Sequence, residues 1–497
     1  MGVKRYKGWS SNDQNFLFPP SPRDWLPEGH LVYFILDVVE LLDLGKIEDA
    51  IQAKDARGER PYNPAMMVAL LTYSYCIGIF SSRKIAQATV EDVGFRVLTG
   101  GQHPHFTRIN AFRKAHVAAF ADLFKQILVL CQEAGLVKLG HVALDGTKIQ
   151  GNASKHKAMS YQYMQELERR LETEIADLLA RADEADAADD ERLGEGNDEE
   201  DLPAELRRRQ DRLAKLRETK EALEAEARKA RAEHLRELAE CCDERAENTD
   251  DETKRKADQS RAKNHREAAD GLDDADDSQA PFETPDGLPM HRPNTTSEGE
   301  PHPKAQRSFT DGDSRLMTSG GSFLQGYNCQ AAVDEAHQII VAESVTNHPT
   351  DAGNFEPMMR QVVENVGPPE AATGDTGFWT SGVEQACLAL GVDAFISTGR
   401  RKHGQDEPAV PDEALSPDAD PREKMRRKLR TPEGRAIYAR RKATVEPVFG
   451  QIKEPRGFRR FSLRGLTAVR AEWSFVCGTH NLLKLFRAGF RPGLATG

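Results

Sequence analysis

The sequence predicts an α/β protein in three parts: a mixed sheet flanked by helices, an all-α N-terminal domain, and a coiled-coil-like helical insertion that interrupts the sheet. Three observations carry this expectation. Short apolar runs bounded by turn residues, HVALDG at 141–146 and YNCQAAV at 327–333 among them, read as strands. From Pro27 to about Leu136 the apolar residues fall at helical spacing instead. From Met164 to Leu223 leucines and similar residues recur at three-, four- and seven-residue steps in a field of Glu, Arg and Ala. The boundaries that follow are 1–136 for the helical N-terminal domain, 137–160 with 305–490 for the sheet domain, and 161–304 for the insertion.

In chain order, Asn63-Pro64 reads as an N-cap followed by proline at the first helical position, opening AMMVALLTYSYCIGI. One amphipathic helix is expected from Thr107, through Ile109, Phe112, Val117, Phe120, Phe124, Ile127 and Leu128. The run ending in Asp145-Gly146-Thr147 predicts a buried strand with the carboxylate at its exposed end. Two long helices then fold back as an antiparallel hairpin around the acidic loop at Gly194-Glu195-Gly196-Asn197, and the polar stretch from about Cys242 to Pro303 reads as loop or disorder. Tyr327–Val333 and Gln338–Ala342 predict paired strands, with Asp334 as a turn residue between them. Asp375 lies between a short Ala-Thr-Gly run and the helix-like SGVEQACLALG. Glu446 belongs to a helix, and Lys453, seven residues on, points the same way. Pro447 predicts a kink or restart of that helix.

The net charge of −12 argues against a uniformly basic surface, but the distribution matters more. Between Arg422 and Arg464 there are 15 Lys or Arg against 4 Asp or Glu, while 183–201 holds 11 acids and one Arg. A basic block of that kind neutralises phosphates whatever the total. Seven cysteines without a CxxC pair suggest a reducing compartment rather than a disulfide framework, and adjacent Cys241 and Cys242 have no zinc-ligand spacing. MGVKRYKGWSSNDQ has no apolar run, and the longer apolar runs are too short or too charged to span a bilayer, so neither a signal peptide nor a membrane is expected.

Three acids stand out by their settings: Asp145 in HVALDGTKIQGNASK, Asp375 in AATGDTGFWTSG and Glu446 in YARRKATVEPVFGQIKE. Hard Mg2+ prefers carboxylate oxygens and leaves positions open for phosphate, so acids distant in sequence that converge suit two-metal phosphoryl transfer. Among 80 acids any three mean little, and each alone reads first as a capping or solvated carboxylate. Their flanks single them out. Tyr438, Arg441, Glu446 and Lys453 resemble the Tyr-Arg-Glu-Lys signature of bacterial insertion-sequence transposases, and GFRRFSLRGL and AEWSFVCGTHNLLKL are similar to its usual continuation. Asp145-Gly146-Thr147-Lys148 with Asn152-Ala153-Ser154-Lys155, the run Gly326–Asp334, and Gly374–Phe378 follow in the order such enzymes use.

The chain therefore resembles a DDE transposase with a ribonuclease H-like catalytic domain. That resemblance implies Asp145, Asp375 and Glu446 as catalytic ligands of Mg2+, with Mn2+ as a substitute, and Tyr438, Arg441, Lys442, Lys453, Arg459 and Arg460 as DNA-binding residues. Four residues separate Arg441 from Glu446 where the commonest signature has three, so either Arg441 or Lys442 fills the basic position. It further implies DNA as partner, both transposon terminal inverted repeats and target, a homodimer when bound to DNA, and a place in the bacterial cytoplasm at the nucleoid. In the N-terminal domain, SSRKIAQATVEDVGFRVLTGG could supply half of a helix-turn-helix; Arg83, Lys84, Arg108, Arg113 and Lys114 read equally as DNA contacts or as a solvated helix face. Two rivals remain: a metal-dependent DNA nuclease without strand transfer, and a catalytically inactive DNA-binding regulator. Isolated His103, His105 and His480 read as structural, and neither Gly374 nor Ser319-Gly320-Gly321 has the P-loop pattern, so no ATP dependence is indicated.

Overall fold

In the computed structural model, residues 21, 24–53, 60–154, 158–193, 204–272, 282–399 and 419–491 are described. Seven helices come first: α1 (Leu31–Leu41), α2 (Gly45–Gln52), α3 (Pro64–Cys76), α4 (Ser82–Glu91), α5 (Val93–Leu98), α6 (Phe106–Ala115) and α7 (Val117–Glu133). Asn63 caps α3 as its sequence predicts, its Oδ1 accepting from Met66 N at 3.2 Å. The single helix expected from Thr107 is two, α6 and α7, bent by 75° at His116. The pattern carried a sign of this: Phe112 to Val117 is a step of five, which breaks the three-and-four rhythm of one buried stripe.

The main sheet is built from β1 (His141–Gln150), β4 (Arg315–Ser319), β5 (Ser322–Asp334), β6 (Ile339–Thr346), β7 (Ala371–Gly374) and β8 (Asp393–Ile396); β2 (Ala158–Ser160) and β3 (Gln306–Ser308) form a separate small pair. β5 lies antiparallel between β1 and β6, while β1, β7 and β8 run parallel. The spatial order is thus β6-β5-β1-β7-β8, with β4 on the first part of β5. β1 does not end at Asp145 as expected, because β5 continues the pairing through Gln150↔Gly326; Asp145 sits mid-strand. Edge strand β6 would offer unpaired backbone groups, and side-chain amides from the covering helices take them. Asn481 both accepts from Ile340 N (2.9 Å) and donates to Ile340 O (2.8 Å), Asn365 donates to Val341 O, and Gln361 accepts from Glu343 N.

Helices α11 (Phe355–Val366), α12 (Val383–Ala389), α13 (Pro421–Lys428), α14 (Pro432–Lys453) and α15 (Leu466–Arg487) complete the fold. One hydrophobic core joins the N-terminal helices to the sheet, from Phe34, Leu70 and Phe124 through Val142 and Ile340 to Val448 and Trp473. A buried polar chain runs through the same junction: Arg113 donates to the Tyr75 hydroxyl (3.1 Å), which donates to Glu472 (2.8 Å), which accepts from Ser462 N and Leu463 N. Arg113, expected among the exposed bases, is therefore buried and structural, because it completes this chain. Helix α14 does not break at Pro447. Proline supplies no N–H to the Ala443 carbonyl, and Gln338 Nε2 donates to that carbonyl in its place at 3.2 Å.

The insertion holds α8 (Tyr161–Leu193), α9 (Ala204–Glu247) and α10 (Glu252–Asp270). Tyr161 bonds Glu224, Glu168 pairs with Lys220 and Arg217, and Glu174 pairs with Arg209, so the first two helices run antiparallel. Their seam buries Met164, Leu167 and Leu171 against Leu213, Leu216 and Leu223. The acidic loop at 194–197 lies outside the described residues. Where a loop was expected after Cys242, α10 returns along α9, with Ala262 and Ala269 against Ala239, Cys242, Ala232 and Leu235. Small alanines let the two helices approach closely without large apolar residues, so hydropathy alone understates this packing.

Candidate active site

The pairing register brings two of the three singled-out acids together. His141, Val142 and Ala143 of β1 pair in parallel with Ala371, Ala372 and Thr373 of β7, and the same offset carried two residues further sets Asp145 opposite Asp375. Neighbouring strands are about 4.8 Å apart. Asp145 is largely buried, and burial raises its carboxyl to about 6, with Asp375 and Asp351 adding repulsion while Arg441 and the Gly146 N–H oppose it. Arg441 Nη1 lies 3.3 Å from Asp145 Oδ2, and its Nε is buried with no partner among the described residues. Asp375, half-buried, caps the short turn Thr376–Phe378 by accepting from Gly377 N at 2.8 Å. Glu446 is exposed on α14, and among the described residues no three acids, histidines or cysteines are gathered closely enough to cage a metal.

A fourth acid, Asp351, belongs to the cluster and was not singled out from the sequence. Its Oδ1 accepts from Asn328 Nδ2 and Gln330 Nε2, both at 2.8 Å, with Lys148 Nζ at 3.5 Å. A signal existed: Asn328 and Gln330 alternate in an otherwise apolar strand, so both face one side and need a polar partner when buried. Gly146 is required by the same contact, since a Cβ there would lie 2.4 Å from Asp351 Oδ1.

Cationic side chains line the rest of β1. Lys453 donates to the Thr147 hydroxyl and to Lys148 O, and burial lowers its pKa. Arg459 and Arg460 are exposed where 459–461 pairs with the end of β1, through Phe461 N to Gln150 O (2.9 Å) and Gln150 N to Arg459 O (3.3 Å). Lys442 is exposed, so of the two candidates for the basic position it is Arg441 that meets the acids. Tyr438 is half-buried against a cluster containing Ala371, Phe395 and Met425. Outside the site, Asp334, expected in the turn, is the last residue of β5, paired with Val142 and Ile339, and its carboxylate accepts from Leu139 N and Ala336 N, a structural role. His480, pushed down to about 3 by burial, bonds Gln338 O, and His105 caps α6.

Two family models match the chain: a transposase DDE domain over residues 414–486 and a Transposase domain (DUF772) over residues 20–115. No curated protein and no solved structure matches it. Glu446 and its basic neighbours fall inside the first match, while Asp145, Asp351 and Asp375 lie between the two. The matches support a DDE-type transposase, a DNA-processing enzyme with DNA as its partner. Among the described residues no single helix is long and apolar enough to cross a membrane.

Proposed function

We propose that the protein cuts transposon ends and joins them to target DNA, on a ribonuclease H-like sheet. The observation that carries this is the β1–β7 register, which, continued past Ala143↔Thr373, sets Asp375 beside Asp145, with the Arg441 guanidinium at Asp145. The order β6-β5-β1-β7-β8, antiparallel then parallel, supports the fold assignment. Transposases of the DDE domain family generally use divalent metal ions. The chemistry of the donor set fits one: two adjacent hard carboxylates, one with its charged form disfavoured by burial and by acidic neighbours, match a cation whose other positions go to water and phosphate.

In this reading Asp145, Asp375 and Glu446 hold Mg2+ or Mn2+, which when bound supplies activation of water and of a 3′-hydroxyl and stabilises the leaving oxygen. Arg441 holds Asp145 in place and carries positive charge next to the scissile phosphate. Lys453, Lys442, Tyr438, Arg459 and Arg460 grip the flanking backbone. The N-terminal helices, with Arg83, Lys84 and Arg108 exposed, recognise the ends as the 1–136 domain, and two copies assemble on DNA.

The test is cleavage, in Mg2+, of a duplex carrying the inverted repeats that flank the gene, run beside gel-shift binding. Asp145→Asn, Asp375→Asn and Glu446→Gln are each expected to lose cleavage by about a thousandfold or more while still shifting the duplex. Substantial cleavage by one variant removes that residue from the metal site. Cleavage without joining makes the protein a nuclease, and binding without either makes it a regulator.

A further inference from the structure

Phe323 is the most exposed large apolar side chain among the described residues, at 63 %. It stands near the tip of a two-stranded hairpin formed by β4 and the start of β5, from Arg315↔Gly326 to Ser319↔Ser322. Gly320 and Gly321 close the turn with φ of 56° and 77°, as a tight hairpin with both central residues left-handed requires. Because β1 pairs with β5 only as far as Gly326, the hairpin projects beyond the sheet. A phenylalanine this exposed keeps most of its apolar ring in water.

Its surroundings indicate what covers it. Phe323 and Arg460 line one hollow, together with Gln150 and Ser154. Arg460 is held there by Asn152 Oδ1 at 3.0 Å, and Arg464 by Asn152 O at 3.0 Å. From Arg441 at Asp145, through Lys453 at Thr147, to Arg460 and Arg464 at Asn152, cations follow β1 toward the hairpin. Along β5, the eight residues from Ala331, opposite Asp145, to Phe323 span about 27 Å, or about eight base pairs of duplex. An aromatic ring at the end of a phosphate-binding track suits an unstacked base, whose π-face it can stack upon.

We propose that Phe323 stacks on a DNA base about eight base pairs from the acid cluster, with Arg460 on the adjoining phosphate. This rests on the DNA-processing reading above. The test uses the full chain and the same inverted-repeat duplex. In Phe323→Trp, saturating DNA should quench the introduced indole by more than half relative to the same titration of the wild type. Phe323→Ala and Phe323→Leu should each bind about tenfold more weakly with an unchanged salt slope, since leucine keeps bulk but not the π-face. Wild-type affinity in both, with no quenching, overturns the stacking role alone. Loss of self-association in both with DNA affinity intact also overturns it and makes the hairpin a contact between copies. Failure of the wild type to bind the duplex overturns this inference together with the reading beneath it.

Discussion

Gly146 and Asp351 show how tightly the acid cluster is closed at the scale of single residues. A methyl group on Gly146 would lie 2.4 Å from Asp351 Oδ1 and 2.7 Å from Gln330 Nε2, two atoms hydrogen-bonded to each other, so making room for it breaks or stretches that bond. Gly146→Ala is therefore expected to cost about 1–3 kcal/mol in urea unfolding, and clearly less when introduced into Asp351→Ala, because the clash has lost its partner. Equal costs in the two backgrounds would place the strain elsewhere. Away from the cluster, Glu343 is fully buried under α15, accepting from the Ser474 hydroxyl at 2.6 Å. Burial raises its carboxyl from 4.5 to about 7, with Asp286 adding to the rise. A group whose folded pKa lies above its unfolded one stabilises the fold fully below the unfolded value and loses that contribution as pH climbs through the folded value. Stability should thus fall between about pH 4.5 and about pH 7 on this account. Glu343→Gln, which keeps the acceptor without the charge, should match the wild type near pH 5 and exceed it near pH 8 by on the order of 2 kcal/mol. Parallel curves of melting temperature against pH would exclude Glu343 as the source.

At the scale of elements, α14 is where sequence rules and structure part company, and the reason is a long-range contact. Pro447 removes one N–H, and local reasoning then expects a break. Gln338, 105 residues earlier, answers the stranded Ala443 carbonyl from the β5–β6 turn, and its φ of 58° shows that the turn is shaped to present it. Gln338→Gly would relieve the positive φ yet lose this bond together with those its Oε1 accepts from Lys484 and Gln451; a net destabilisation of about 1 kcal/mol is expected, smaller when Pro447→Ala returns the helix's own N–H. A Gln338→Gly variant as stable as the wild type would mean the carbonyl is content with water. The same contrast explains what the sequence made legible. The apolar strand runs, the Asn63 cap and the spacing of leucines along α8 and along α9 are patterns among residues near in sequence, and the elements they mark are found there, although β1 runs on past Asp145. Asp145 and Asp375 could be picked out by their flanks, but their adjacency is a property of the β1–β7 register. Asp351 sits in a loop, and its importance comes from Asn328 and Gln330 on another strand. The α10 packing was hidden because alanine carries little hydropathic signal.

At the scale of the whole molecule, the insertion must leave the sheet after β1 and rejoin it without disturbing the approach of Asp375 to Asp145, and an antiparallel helix pair does so because its ends lie together at the base. The base is not a passive exit. Glu226 of α9 pairs with Arg307 and with buried Arg315 of β4, Asp286 bonds Ser344 and Arg470, and Leu288 belongs to the main core. The part of the insertion nearest the sheet is thus structural, and only the outer hairpin is free of it. Two deletions separate these roles. Replacing 172–212 with a short Gly/Ser turn joins α8 to α9 where Leu171 and Leu213 share one buried seam, and should leave a soluble chain with a melting temperature near that of the wild type. Replacing 166–300 removes Glu226, Asp286 and Leu288 together, strands Arg315 as an unpaired buried charge worth about 3–5 kcal/mol, and should give insoluble or unfolded protein. With the first variant in hand, sedimentation of its DNA complex then reports on assembly: a complex holding one protein copy where the wild type holds two assigns the outer hairpin to dimerisation on DNA. Misfolding of the short deletion, or survival of the long one, would show that the boundary between core and insertion has been drawn in the wrong place.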